Sequence, residues 1–130
     1  MRTQRRSILV FACVLALLGS PGGCAKAPPT LSPAGTAAFH ALQVGRALDI
    51  VRDVANDANQ QTPKLVSNAT LLKIVTWHEA AVRTIVAVPS GWRPTVLAGL
   101  DQLQREIPAA EWSRIAIYVA LLKTVIAEVP

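Results

Sequence analysis

The chain has 130 residues, with 13 basic and 8 acidic side chains, a formal charge of +5 and 52% hydrophobic residues. Arg2, Arg5 and Arg6 stand apart at the start, so the remainder carries ten basic against eight acidic residues, and no basic stripe remains for a nucleic-acid surface. Without its first segment the chain is about 100 residues long. That suits one domain burying somewhat over ~60% of its unfolded surface.

The first element is the stretch from Met1 to Gly23. A basic head is followed by a nearly unbroken apolar run from Ser7 to Leu18, and Gly19-Ser20-Pro21-Gly22-Gly23 then breaks any helix. This is the layout of a secretory signal, with a charged region, a short apolar region and small residues at the cut. The apolar run is about a dozen residues, whereas a bilayer span needs ~20, so a retained membrane helix is the weaker reading. Arg5-Arg6-Ser7-Ile8-Leu9 is similar to a twin-arginine export motif. The strongly apolar run that follows suits the ordinary secretory route better.

Gly22-Gly23-Cys24 resembles the lipobox of bacterial lipoproteins, in which the cysteine is acylated and becomes the mature N-terminus. The position three before the cysteine is Pro21, where that family usually carries leucine. An ordinary signal peptidase would instead find Ala25-Lys26-Ala27, a small-x-small site followed by Pro28. Cys13 leaves with the signal, so Cys24 is then the sole thiol of an exported protein and can form no internal disulfide. Acylation explains its presence. One acyl chain holds a protein only marginally, and two or more anchor it stably. The resemblance implies lipidation at Cys24, a membrane partner through that anchor, and a place in the cell envelope facing the periplasm. Ala25 and Lys26 follow the cysteine in place of the aspartate of inner-membrane retention, which implies the outer membrane in a two-membrane bacterium.

Residues 24–35 form the anchor cysteine and a tether. Pro28, Pro29 and Pro33 disfavour helix, and at ~3 Å per residue the segment holds the following domain roughly 30 Å from the lipid. Residues 36–130 form the domain. A first helix is expected over Thr36–Asn59, because Ala37, Ala41, Val44, Leu48, Val51, Ala55 and Ala58 recur at spacings of three and four. Ile50 and Val54 widen that stripe enough for two neighbours. Arg46 with Asp49 and Asp49 with Arg52 are expected as surface ion pairs, worth tenths of a kcal/mol. Thr62-Pro63 is a helix start, with Ser67-Asn68 competing, for a second helix that reaches Val88 before Pro89 stops it. Its core positions are Leu71, Ile74, Val75, His78, Ala81, Val82, Ile85 and Val88. Pro89-Ser90-Gly91 is a turn. A third helix is expected over Pro94–Ile107 on Val96, Leu97, Leu100, Leu103 and Ile107. A fourth covers Ala109–Val129, with Trp112, Ile115, Val119, Leu122, Ile126 and Val129 on one seam. Ile117, Tyr118, Leu121 and Val125 make it apolar on a second face, as in a central helix or an oligomer interface. The expected fold is all-α, a small antiparallel four-helix bundle after a signal peptide and Pro-rich tether.

Few residues carry chemistry. His78-Glu79 begins like the zinc motif H-E-x-x-H, but Val82 stands where the second histidine belongs, so no metal site is expected. His40 and His78 are the only histidines. No nucleophile, phosphate-loop, nucleotide or haem motif occurs, so neither catalysis nor a cofactor is expected. Glu106 and Glu111 flank Pro108 at an ordinary helix boundary. Trp92, Arg93 and Trp112 form a candidate binding patch, since Trp and Arg dominate interface hot spots. Their structural alternative is to plug the ends of a core built from Ala and Val. Trp77, His78 and Tyr118, with Trp112, are candidates to line a pocket between helices. The sequence therefore leads to a non-catalytic interaction or structural module of the envelope, with a protein partner or a homo-oligomer formed through the last helix. A soluble exported carrier of a small ligand is the alternative.

Overall fold

A computed structural model describes residues 30–129 of the chain. The signal segment, Cys24 and the first half of the tether segment lie outside the described residues. Every regular element among them is a helix: α1 (Pro33–Gln60), α2 (Asn68–Ala87), α3 (Trp92–Glu106), α4 (Ala109–Trp112) and α5 (Ala116–Glu128). The all-α expectation holds. No described helix is long and apolar enough to cross a membrane.

The helix boundaries show which local signals prevailed. α1 begins at Pro33, inside the segment expected to be tether, because Ser32 caps it by accepting the Gly35 amide at 3.1 Å. Proline suits the first helical position, where its missing N–H would have had no partner. α2 begins at Asn68, so the competing start is the one used and Thr62-Pro63 lies in the connection. Ser67 caps α2, its hydroxyl accepting from the Thr70 amide at 3.2 Å. The connection is occupied otherwise: the Leu65 amide donates to the Ala58 carbonyl at 3.1 Å, and Asn59 Nδ2 donates to the Val66 carbonyl at 2.9 Å. Those bonds turn the chain back and put Val66 wholly in the interior, where a helix started at Pro63 would have used its carbonyl for its own ladder.

α3 starts two residues before Pro94, which therefore sits in the first turn and withdraws only an amide that the helix leaves free. Gly91 precedes it with φ of +109°, a conformation that glycine adopts without a Cβ penalty. The expected continuous last helix is divided. Between α4 and α5 the backbone tightens to three-residue bonds, Arg114 N–H to the Glu111 carbonyl at 3.1 Å and Ile115 N–H to the Trp112 carbonyl at 3.0 Å. Ser113 Oγ also donates to the Ala110 carbonyl at 2.7 Å, a local bond that competes with the regular ladder.

α1 packs against both α2 and α5, and α2 packs against α3. Val44, Leu48, Val51 and Ala55 of α1 are fully enclosed, as are Ile74 of α2, Leu100 of α3, and Ile115 and Leu122 from the last segment. Each large aliphatic side chain enclosed in this way contributes roughly 1.5–3 kcal/mol. The seam expected for α1 therefore holds from Val44 to Ala58, while Ala41 is half-buried and Ala37 exposed. In α2 the seam ends before Val88, which is exposed, and Trp77 joins the core. His40, Asn59, Thr70 and His78 are the buried polar residues among those described.

Gly45 lies in the middle of α1, and a Cβ built there would meet nothing within 4 Å. Gly45→Ala is expected to raise stability by about 0.5–1 kcal/mol through helix propensity alone. Gly91→Ala is expected to lower it by about 1–2 kcal/mol, because alanine must adopt the left-handed conformation. Urea midpoints at an unchanged m-value check both, and a Gly45→Ala midpoint at or below wild type would contradict the open setting of that position.

Candidate functional site

The polar groups with chemical potential are largely occupied in joining helices. His78 is buried on the side of α2 that faces α1, and its Nε2 donates to Asp49 Oδ1 at 2.8 Å. Asp49 also takes Arg52 Nη1 at 3.1 Å, while Arg52 Nη2 reaches Asp53 at 2.8 Å. The expected Asp49–Arg52 pair is thus formed, with His78 as a third member. This arrangement orients the imidazole between two helices, with a carboxylate as its hydrogen-bond partner.

Glu111 has the other structural carboxylate. Its Oε2 accepts both the amide and the hydroxyl of Ser67, each at 3.1 Å, across 44 residues of sequence. The Thr70 hydroxyl beside it, followed by the two Ser67 donors, holds the carboxyl below its ordinary value of 4.5 against an opposing effect of burial. The charge lies at the start of α2 and within α4, so unpaired helix amides also favour it. Glu106 is engaged elsewhere: it accepts Gln102 Nε2 at 2.8 Å, and its carbonyl accepts Lys73 Nζ at 3.0 Å. The two glutamates flanking Pro108 serve separate contacts.

The aromatic groupings expected from sequence are divided. Trp92 is buried at the start of α3, with Arg93 Cζ 5.8 Å from its ring centroid. Arg93 Nη2 donates to the Val129 carbonyl, tying the start of α3 to the end of α5. Trp112 is half-buried on α4, beyond the opposite end of α3. The 15 residues of α3 rise by ~1.5 Å each and separate the two rings by roughly 20 Å. Trp92, Arg93 and Trp112 therefore do not form one patch. Both rings pack on the core, which is the structural alternative expected for them.

Trp77, His78 and Tyr118 are likewise apart. Trp77 packs against Gly99 of α3, where a Cβ would stand 3.2 Å from the indole, and its buried Nε1 has no partner. It borders a groove of about 430 Å³ with Leu72, Ala80 and Leu103. Its neighbour His78 lies about 100° further round α2 and faces α1. Tyr118 lines a different cleft of about 190 Å³ with Val54, Asp57, Ala58 and Arg114. Adjacent positions on one helix point apart, so Trp77 and His78 serve different helix pairs.

The largest of these openings went unnoticed in the sequence. At the head end, where α1 begins, a cleft of about 510 Å³ lies between Ala34, Ala37, Ala38 and Ala41 of α1 and Ile85, Val86, Pro89 and Trp92 opposite, with His40 and Val129 completing it. His40 is buried there and donates from Nδ1 to Gln43 Oε1 at 3.3 Å. Ala37 and Ala41 carried the only signal, and their spacing reads as core seam when no neighbour is known. Cys24 lies outside the described residues. Among the described residues no three His, Cys, Asp or Glu side chains come together to hold a metal ion.

Because Glu111 has a lowered folded pKa, it contributes stability that is complete above its unfolded pKa and is lost as pH falls through the folded value. Glu111→Gln is expected to cost about 0.5–1.5 kcal/mol at pH 7, because glutamine keeps an oxygen acceptor for Ser67 and only the charge assistance is lost. The gap to wild type should narrow as pH falls below 4.5. Chemical denaturation at pH 7, 5 and 3 checks this, and a gap independent of pH would remove the charge from the explanation. In the comparisons with known proteins, no family model, no curated protein and no solved structure matches this chain.

Proposed function

We propose that this protein is an exported, lipid-anchored helical module of the cell envelope that acts by contact and not by catalysis. The observation that carries the reading is how the interior is filled. Apolar side chains from all the long helices form one core cluster, and the buried histidine and the half-buried glutamate with interhelical bonds are spent on joining helices. The clefts described, those bordered by Tyr118, Trp77 and His40, lie around this core, and none of them is an enclosed polar pocket. The N-terminal layout supplies the address, with Cys24 as the lipidated residue and the outer membrane, facing the periplasm, as its place in a two-membrane bacterium.

The same reading gives the domain as an antiparallel four-helix bundle in which α4 and α5 share the fourth position. Several contacts support it. Rising numbers in α1 meet falling numbers in α2, with His40 and Ile85 on one cleft, Asp49 against His78, and Asn59 against Val66. Tyr118 lies with Val54 and Ala58, and Val129 with Ala37, which runs the last helix against α1. The last helix is also the partner surface. Ile117 is 60% exposed on it, Ala120 and Thr124 continue the exposed face, and α5 meets only α1 closely among the long helices. The head-end cleft favours a second reading, a soluble exported carrier of a small apolar ligand, in which the signal is cut without acylation.

Intact mass of the protein taken from bacterial membranes tests the anchor. A species beginning at Cys24 and heavier by a diacylglyceryl group, absent in Cys24→Ser, is expected; an unmodified species beginning near Pro28 would move the carrier reading ahead. Sedimentation tests the surface. Self-association that Ile117→Glu weakens by tenfold or more is expected, with helical content unchanged. A wild-type protein that stays monomeric at tens of micromolar would rule out the homo-oligomer.

A further inference from the structure

The head-end cleft is an apolar space that the core does not need. One wall is the first turns of α1, and there every residue on the cleft other than His40 is alanine. Small side chains at that spacing are what keep the space open. Around it stand apolar side chains that water would not favour: Val86 is 75% exposed, Val88 45% and Leu31 40%. Three of the six exposed large hydrophobics of the described residues thus gather at one end of the domain. A volume of about 510 Å³ is within the range of small-molecule sites, ~300–1,000 Å³.

The lining distinguishes among occupants. A peptide segment would bring amide and carbonyl groups into a space whose polar side-chain groups are two, His40, which already bonds Gln43, and the Trp92 indole N–H. Each such group left unpaired costs ~1–3 kcal/mol. A hydrocarbon chain brings none, and its methylene groups gain roughly 0.8 kcal/mol each on leaving water. The chain's own course supplies a source. Residues 1–29 lie outside the described structure, and the chain enters α1 at Pro33, on the rim of this cleft. Cys24 is nine residues before Pro33, a reach of up to about 30 Å when extended. A tether that short keeps a group on Cys24 at roughly millimolar effective concentration around the cleft.

We propose that the head-end cleft holds one long-chain acyl group, and that an acyl chain on Cys24 is its resident. The second half rests on the lipid-anchor reading; the first does not. The cleft then shields one chain from water whenever the protein is away from a bilayer.

The test uses a fluorescent long-chain fatty acid, cis-parinaric acid, titrated into Cys24→Ser protein. Saturable binding of one equivalent is expected, weakened at least tenfold by adding Ala38→Phe, which fills the cleft from an exposed position on α1. Helical circular dichroism should be the same for both. No saturable binding would overturn the acyl site, and binding indifferent to Ala38→Phe would overturn its location. Hydrogen exchange of residues 34–41 in protein kept free of bilayers, below the concentration at which it aggregates, separates the sources. Exchange slower in lipidated wild type than in both Cys24→Ser and lipidated Ala38→Phe is expected. Equal rates in wild type and Cys24→Ser would overturn the Cys24 chain as resident. A wild-type mass without acylation would overturn it as well, while the fatty-acid titration still decides the cleft.

Discussion

One helix has to satisfy two neighbours with a single seam, and the rest of the domain depends on that. α1 packs on α2 and on α5, and its Val44, Leu48, Val51 and Ala55 have no exposed surface. Large side chains on this seam fill the space between helices. Ala47, Ala55 and Ala58 hold it narrow enough for both neighbours to approach. Interior packing at crystal-like density makes such a seam intolerant of slippage, because a shift of one residue turns large side chains toward positions cut for small ones. α3 has no comparable hold on α1 and joins the structure mainly through α2.

Packing of this kind is non-directional, so polar contacts are needed to choose the register. Several of the helix pairs have one. Asp49 meets His78 between α1 and α2, and Asn59 ties the end of α1 to Val66 and Asn68. Glu111 receives Ser67, and Lys123 of α5 lies 3.3 Å from Asp101 of α3. The exposed Lys123–Asp101 pair is screened and contributes little. The half-buried Glu111 and the buried His78 contribute more, because losing one partner strands a group that water reaches poorly. The break between α4 and α5 belongs to the same pattern. It keeps Ile115 fully enclosed while Glu111, four residues earlier, extends to the start of α2. One uninterrupted helix places those two positions only ~40° apart.

Functional potential is accordingly distributed by subtraction. The residue types that could do acid–base chemistry are used as struts. Alanine walls at the head end leave space, and Ile117 and Leu72 leave apolar surface. Burial of the tryptophans follows the same logic. Trp92 is buried at the start of α3, Trp77 packs on its middle against Gly99, and Trp112 packs on the core from α4, so the large rings fill space that Ala- and Val-rich sequence could not. Arg93 remains at the head end with its guanidinium on the Val129 carbonyl.

What the sequence determined by itself was everything governed by neighbours within a turn of helix. The 3.6-residue recurrence of apolar positions is enough to place four helical segments and most of the enclosed residues, from Val44 through Ala58 and from Val96 through Ile107. Ser67-Asn68 was legible as a start, and so was the Pro89-Ser90-Gly91 turn. Tertiary structure decided what local terms leave balanced. Thr62-Pro63 and Ser67-Asn68 are both adequate starts, and the choice fell to Asn59 and Glu111, which reach the connection from outside it. The last helix was broken by the separate contacts of its two parts, Glu111 on Ser67 and Ile115 in the core, not by any proline or glycine within it. Asp49 and His78 are 29 residues apart, and Ser67 and Glu111 are 44; no periodicity carries such a pairing. The head-end cleft was hidden for the same reason. Alanines at helical spacing describe a close contact or an empty space equally well, and only the distance to the facing wall distinguishes them.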